Sequence, residues 1–208
     1  ESYNKIKIRF HNSGFELYTS GNKLASGVIK DPMQPSIHNK GITGGIRVRV
    51  RGELLKSYDR WRAMIQRCYT NRYPSYHSAY VCDEWLYYPN FKLWFDKNYI
   101  EGYELDKDLL GNGKLYSADT CVFLPKTLNL LLNTGEGVSK RGKKFRAYRM
   151  ESGKQIHLGY YLSRMEALSV SNREKEKHVK DVAKKYYSLD LINEQVYNAL
   201  INWKLEKR

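Results

Sequence analysis

Long apolar runs are missing from this 208-residue chain, and none reaches eighteen residues, so no segment is built to span a bilayer as a helix. Acidic residues are also short, 22 Asp and Glu against 36 Lys and Arg, which leaves a net charge of +14. A surplus of that size favours a polyanionic partner. An anionic membrane surface is the weaker match and is not expected, because no basic amphipathic helix carries a clean apolar face with Trp and Leu on it. Cysteine is scarce and odd in number: Cys68, Cys82 and Cys121, with no Cys-x-x-Cys pair. That pattern argues against a disulfide scaffold and for a reducing compartment, the cytoplasm. Cys68, His77, Cys82 and Cys121 lack the spacing of a zinc knuckle, so no zinc is expected and buried thiols are the simpler reading. An RNP-type aromatic motif, the mark of one large class of RNA binders, is absent as well.

What is present suits nucleic acid. The apolar fraction is 41%, with 18 Tyr and 4 Trp, enough for a packed core. Tyrosines can stack on bases or bond phosphates. Glu1-Ser2-Tyr3-Asn4 runs straight into an alternating strand, so the numbered chain is expected to begin inside a domain, with no signal peptide.

The fold class expected is α+β, with several small modules in series. Residues 1–50 read as a small β-sheet or barrel: Ile6, Ile8 and Phe10 alternate, Phe15 to Tyr18 continue, Gly21-Asn22 turns, and Val28 to Pro32 closes a third strand. Ser36 to Gly45, with three glycines, reads as a linker or mobile loop. Residues 55–133 form a second unit. Trp61, Met64, Ile65 and Cys68 share a helix face, and a second helix is expected from Asn90, its cap, to Tyr99 with Phe91, Trp94 and Phe95 inward. A strand at Gly102 to Asp108, a turn at Gly111-Asn112-Gly113-Lys114, a strand at Cys121 to Leu124 and a helix opened by Pro125 follow. Residues 139–186 read as an antiparallel hairpin, Lys143 to Glu151 and Gln155 to Leu162, plus a helix from Ser163, which with Glu166 has capping-box spacing. This stretch carries fourteen Lys or Arg against five acids, most of the chain's charge. Residues 187–208 are expected to add one more helix.

Two places carry chemistry. An Asp at a strand end with an Asn on the next helix, here Asp106 and Asn129, can converge on one Mg²⁺ or Mn²⁺, since such ions take one or two protein oxygens and keep other positions for water and phosphate. The series Trp61-x-x-Met64-x-x-Arg67-Cys68-Tyr69, Val81-Cys82-x-x-Trp85, Phe91-x-x-Trp94, Leu105-Asp106-Lys107-Asp108 and Lys114-x-Tyr116-Ser117-x-x-Thr120-Cys121-x-Phe123-x-Pro125-x-x-x-Asn129 resembles the HNH, or ββα-metal, homing-type endonucleases of bacteriophages. The resemblance implies DNA phosphodiester hydrolysis with one divalent ion, in the cytoplasm of a phage's host. It implies Asp106 and Asn129 as metal ligands, and a general base at the position after the Asp. That family has His there and this chain has Lys107. An ammonium between two carboxylates is not a ready base, though it can neutralise a phosphate as a fixed cation. Three readings stay open: an unusual nuclease, with His11, His38, His77, His157 or His178 as a replacement base; a nuclease fold that only binds DNA, as a regulator or blocker; and ordinary surface charges.

The second place is the basic hairpin. Phe145-Arg146-Ala147-Tyr148, Gly153-Lys154-Gln155-Ile156-His157-Leu158-Gly159-Tyr160-Tyr161 and Glu166-Ala167 resemble the ethylene-response-factor DNA-binding domain of plants. Strand alternation puts Arg146, Tyr148 and Met150 on one face and Phe145, Ala147 and Arg149 on the other. The resemblance implies Arg146 and Tyr148 as contacts to duplex DNA. Lys140, Arg141, Lys143 and Lys144 are expected to hold phosphates.

Overall fold

The computed structural model describes residues 5–133, 135–151 and 153–205. It is an α+β protein built from small sheets. In chain order the elements are β1 (Lys5–Arg9), β2 (Glu16–Ser20), α1 (Gly21–Ala25), β3 (Arg49–Val50), β4 (Glu53–Leu54), α2 (Lys56–Tyr69), β5 (Tyr80–Val81), α3 (Asp83–Leu86), α4 (Tyr88–Asn98), β6 (Tyr103–Asp106), β7 (Leu115–Tyr116), β8 (Val122–Pro125), α5 (Lys126–Leu132), β9 (Val138–Arg141), β10 (Lys144–Glu151), β11 (Lys154–Tyr161), α6 (Arg164–Ser188) and α7 (Glu194–Ile201). Among the described residues no helix is long and apolar enough to cross a membrane. The chain divides into two compact units. The first holds the described residues up to Asn98 together with Lys114–Ala118, and the second holds Tyr99–Gly113 and the described residues from Asp119 onward.

The first unit opens with an antiparallel hairpin, β1 on β2, in register from Lys5↔Ser20 to Arg9↔Glu16. The third strand expected at Val28 to Pro32 does not form, and the residues after β2 coil into α1 instead of turning. Pro32 has no N–H to give a ladder, and the Asp31 carboxylate takes the Met33 N–H at 2.9 Å, a local bond that bends the chain. Ser36 to Gly45 is not a mobile linker either. Ile42 N–H donates to Leu86 O at 2.8 Å and Tyr88 N–H to Ile42 O at 2.9 Å, so the strap is stitched to the start of α4. Gly41 is buried against Trp61, and a Cβ there would stand 2.7 Å from Trp61 Cη2. Gly41→Ala is therefore expected to lower stability by about 1–3 kcal/mol through overpacking, read as a lower urea midpoint; an unchanged midpoint would show that the strap has slack.

Apolar spacing in α2 buries Tyr58, Trp61, Met64 and Ile65, as the sequence pattern requires. Trp61 is wholly buried, and its indole N–H donates to Trp85 O at 2.6 Å. α4 begins at Tyr88, so Asn90 lies inside the helix and is not its cap, with Pro89 in the first turn. Phe91 and Phe95 face the core, while Trp94 is only half-buried and packs on Trp85 at 4.7 Å between ring centroids.

The second unit contains a hairpin-helix. β6 pairs antiparallel with β8, from Tyr103↔Pro125 to Asp106↔Val122, and α5 follows directly. Leu124 and Leu128 from this piece share a core with Val179, Ala183, Ile192, Val196 and Leu200. A three-stranded antiparallel sheet, in the order β11-β10-β9, precedes α6; the sequence showed the hairpin but not β9. α6 buries Ala167, Ser171, Lys175, Val179 and Ala183, a stripe with one residue every four. Its first half lies under β10, where Ser171 Oγ donates to Tyr148 O at 2.8 Å, and its second half joins the leucine core. One helix thus serves both the hairpin-helix and the sheet, so the sequence boundaries drawn at 133 and 186 fall inside this unit. Ser163 has the extended N-cap backbone, but its side chain makes no capping bond. The cap in use is Asn193, whose Oδ1 accepts Val196 N–H at 2.9 Å and starts α7.

Candidate nucleic-acid interface

Cross-strand partners in a sheet share a face, so register assigns each side chain. β10 and β11 pair Phe145↔Tyr161, Arg146↔Tyr160 and Ala147↔Gly159, then skip Leu158 and resume at Tyr148↔His157 and Met150↔Gln155. Gly159, at φ +127°, permits this bulge. The extra residue brings His157 and Tyr160, three apart in sequence, onto one face, with ring centroids 4.8 Å apart. β9 adds Ser139 opposite Arg146 and Arg141 opposite Lys144. The open face therefore carries Arg141, Lys144, Arg146, Tyr148, Gln155, His157 and Tyr160. Ala147, on the other face, is wholly buried, as is Ala167 of α6.

Arg146 is held at the centre of that face. Its Nε donates to His157 Nδ1 at 3.3 Å, its Nη1 donates to Gln155 Oε1 at 3.1 Å, and its guanidinium lies 5.6 Å from the Tyr148 ring centroid. Arg149 turns away, toward α6, and pairs with Glu151 at 3.1 Å. Of the residues expected to contact DNA, Arg141, Lys144, Arg146 and Tyr148 come together. Lys143 sits in the tight turn beside Gly142, at φ +58°. Lys140 pairs with Phe145 and so belongs to the opposite face. Gln155, His157 and Tyr160 lie in the motif quoted from the sequence, but strict strand alternation did not place them, or Ser139, on one face with Arg146; the available signal was a glycine inside a strand pattern, which marks a bulge.

Asp106 ends β6 and is buried. Its Oδ1 accepts the N–H of Asp108 at 3.0 Å and of Leu109 at 2.8 Å, which turns the chain at the strand end. Gly111 packs back on the same corner, where a Cβ would stand 2.9 Å from Lys107 O. Burial raises the Asp106 carboxyl above its ordinary value, opposed by the Leu109 N–H bond, reinforced by the Asp108 charge, and opposed further by the Asp108 N–H bond and the Lys107 charge. Lys107 is only 7% exposed, and its ammonium donates to Asp108 Oδ1 at 2.7 Å. Asn129 lies on α5, and its Oδ1 accepts Asn133 Nδ2 at 2.9 Å. No hydrogen bond or ion pair among the described residues joins a histidine to Asp106.

No family model matches this chain, and neither a curated protein nor a solved structure does.

The donor set decides whether the implied divalent ion fits. Mg²⁺ and Mn²⁺ need oxygen lone pairs and net negative charge. Asp106 Oδ1 already takes two N–H groups and Asn129 Oδ1 takes one, and the buried Lys107 ammonium, paired with Asp108, adds positive charge near Asp106. A second cation in such surroundings is repelled more strongly than in water. As they stand, these residues fit a divalent ion poorly. Asp106 works as the anchor of a turn.

Proposed function

We propose that this protein binds duplex DNA through the open face of the β9–β10–β11 sheet. The observation that carries the reading is Arg146, fixed between His157, Gln155 and Tyr148 on a basic face whose reverse is covered by α6. A three-stranded sheet can lie in a major groove, and a restrained guanidinium can meet a guanine edge through two donors. Arg141, Lys143 and Lys144 then meet phosphates along the rim. A protein of this kind, bound without cutting, can act as a regulator or a blocker of the sites it occupies.

Gel shifts with duplex DNA over a series of salt concentrations test the proposal. Binding should weaken linearly on a log–log salt plot. Arg141→Ala or Lys144→Ala should each flatten the slope by about one unit and weaken all sequences alike. No retention of DNA at moderate salt would remove the reading.

Phosphodiester hydrolysis at Asp106 and Asn129 is the second reading. It is favoured by the hairpin-helix order, in which β6 and β8 pair and α5 packs on both. Nicking of supercoiled plasmid with Mg²⁺ or Mn²⁺, lost on Asn129→Ala, would establish it.

A further inference from the structure

A second exposed basic surface lies in the first unit, where residues 47–62 carry six Lys or Arg against two acids. β3 and β4 pair antiparallel, Arg49↔Leu54 and Val50↔Glu53, and the ladder runs on where Leu55 N–H donates to Val48 O at 2.9 Å. Alternation sets Arg47 and Arg49 on one side of this ribbon. Arg51 and Gly52 close the hairpin, at φ +51° and +87°. A two-residue turn with both positions left-handed normally takes Asn-Gly or Asp-Gly, because a longer side chain is strained at the first position. Arginine there accepts the strain and sets a guanidinium at the tip, and backbone strain of this kind collects at functional sites. Arg49 Nη1 donates to Gly52 O at 2.8 Å and holds the turn.

α2 adds Arg62 to the same place. Burial pushes the Tyr58 hydroxyl above its ordinary value, and Arg62 and Arg49 both draw it back, so strand and helix bring guanidiniums to one ring. The acid beside Arg62 is Asp59, at 3.9 Å between two exposed side chains, a pair that contributes little. Arg47, Arg49, Arg51 and Arg62 are all exposed. Among the described residues no hydrogen bond or ion pair engages the side chains of Arg47 and Arg51. Like charges gathered this way repel one another, and a polyanion relieves the repulsion.

We propose that the β3–β4 hairpin, with Arg62 of α2 beside it, is a second contact to duplex DNA, made to backbone phosphates and blind to sequence. The inference rests on the DNA-binding reading and adds a separate anchor to it. Arg146 is held by three neighbours, as a base reader must be; Arg47 and Arg51 are held by none, which suits contacts that need charge and not a fixed angle.

The test uses the full chain in gel shifts over a salt series, on the best and worst duplexes of a selected set. Each phosphate contact adds about 0.9 to the log–log salt slope. Arg47→Gln with Arg51→Gly should therefore flatten the slope by about two units on both duplexes and leave their ranking intact. Lys23→Gln with Lys30→Gln removes the same charge elsewhere in this unit and should leave the slope unchanged. Arg51→Gly alone relieves the left-handed backbone, so it should melt no earlier than wild type while flattening the slope by about one unit; it carries the test should the double variant fold poorly. A wild-type slope in the hairpin variants, or an equal loss in the lysine pair, overturns the contact. A changed ranking overturns its assignment to phosphates. Failure of the sheet as a DNA surface shows differently: Arg141→Ala and Lys144→Ala leave the slope in place while the hairpin variants flatten it. No retention of DNA by the wild type removes both.

Discussion

Replacing Arg146 with alanine is expected to collapse sequence preference by roughly 5- to 150-fold, the 1–3 kcal/mol that one bidentate base contact is worth. Affinity for non-cognate duplex should fall much less, because one charge among many phosphate contacts is removed. The reasoning rests on pre-organisation. Arg146 reaches Gln155 Oε1 and His157 Nδ1 and lies over Tyr148, so little rotamer freedom is left to lose on docking. Arg149→Ala is the internal control, since Arg149 points to α6 and pairs with Glu151. It should leave the ranking of sequences intact. Selection from a random duplex library, followed by competition gel shifts on the best and worst sites, measures both. If Arg146→Ala keeps the wild-type ranking, base reading lies elsewhere and the sheet face only holds backbone.

Sequence periodicity located the elements well where side chains report their own burial. The stripe Trp61, Met64, Ile65 on α2 and the strand of Val122 to Leu124 read correctly because apolar spacing and burial are the same information. Asp106 at a strand end, with Asn129 on the helix after the partner strand, was legible for the same reason. What failed was long-range. Nothing local tells Gly41 that it will lie against Trp61. The bulge that aligns His157 with Tyr160 moves the register of β11 by one residue, and strict alternation along a strand cannot express that. The chemistry at Asp106 was equally hidden. A sequence shows a carboxylate next to a lysine; only the fold shows the ammonium buried and the carboxylate spent on two backbone N–H groups.

That use of Asp106 yields the second large effect. Asp106→Ala leaves the Asp108 and Leu109 N–H groups without their acceptor, and should cost about 2–4 kcal/mol, given roughly 1.5–3 for each bond to a charged group less the desolvation of the carboxylate. Asp106→Asn keeps an oxygen in the same place and should stay within about 1 kcal/mol of wild type at neutral pH, by the lesser strength of neutral bonds. The pH dependence separates them further. Because burial raises this carboxyl, between the ordinary value of 3.8 and the raised folded value the folded chain keeps a proton that the unfolded chain has released. Wild-type stability therefore falls as pH rises through that window, and it recovers on acidification. Asp106→Asn has no such titration, so its stability relative to wild type should improve as pH rises through the same window, in paired urea melts. A flat difference would mean the carboxylate is not buried as charge. The same pair of variants decides between anchor and metal ligand. An anchor tolerates asparagine, so binding and folding persist. A ligand to a divalent ion does not, because the amide carries no charge to offset the cation, and any plasmid nicking by the wild type would vanish in Asp106→Asn while its melting curve stayed in place.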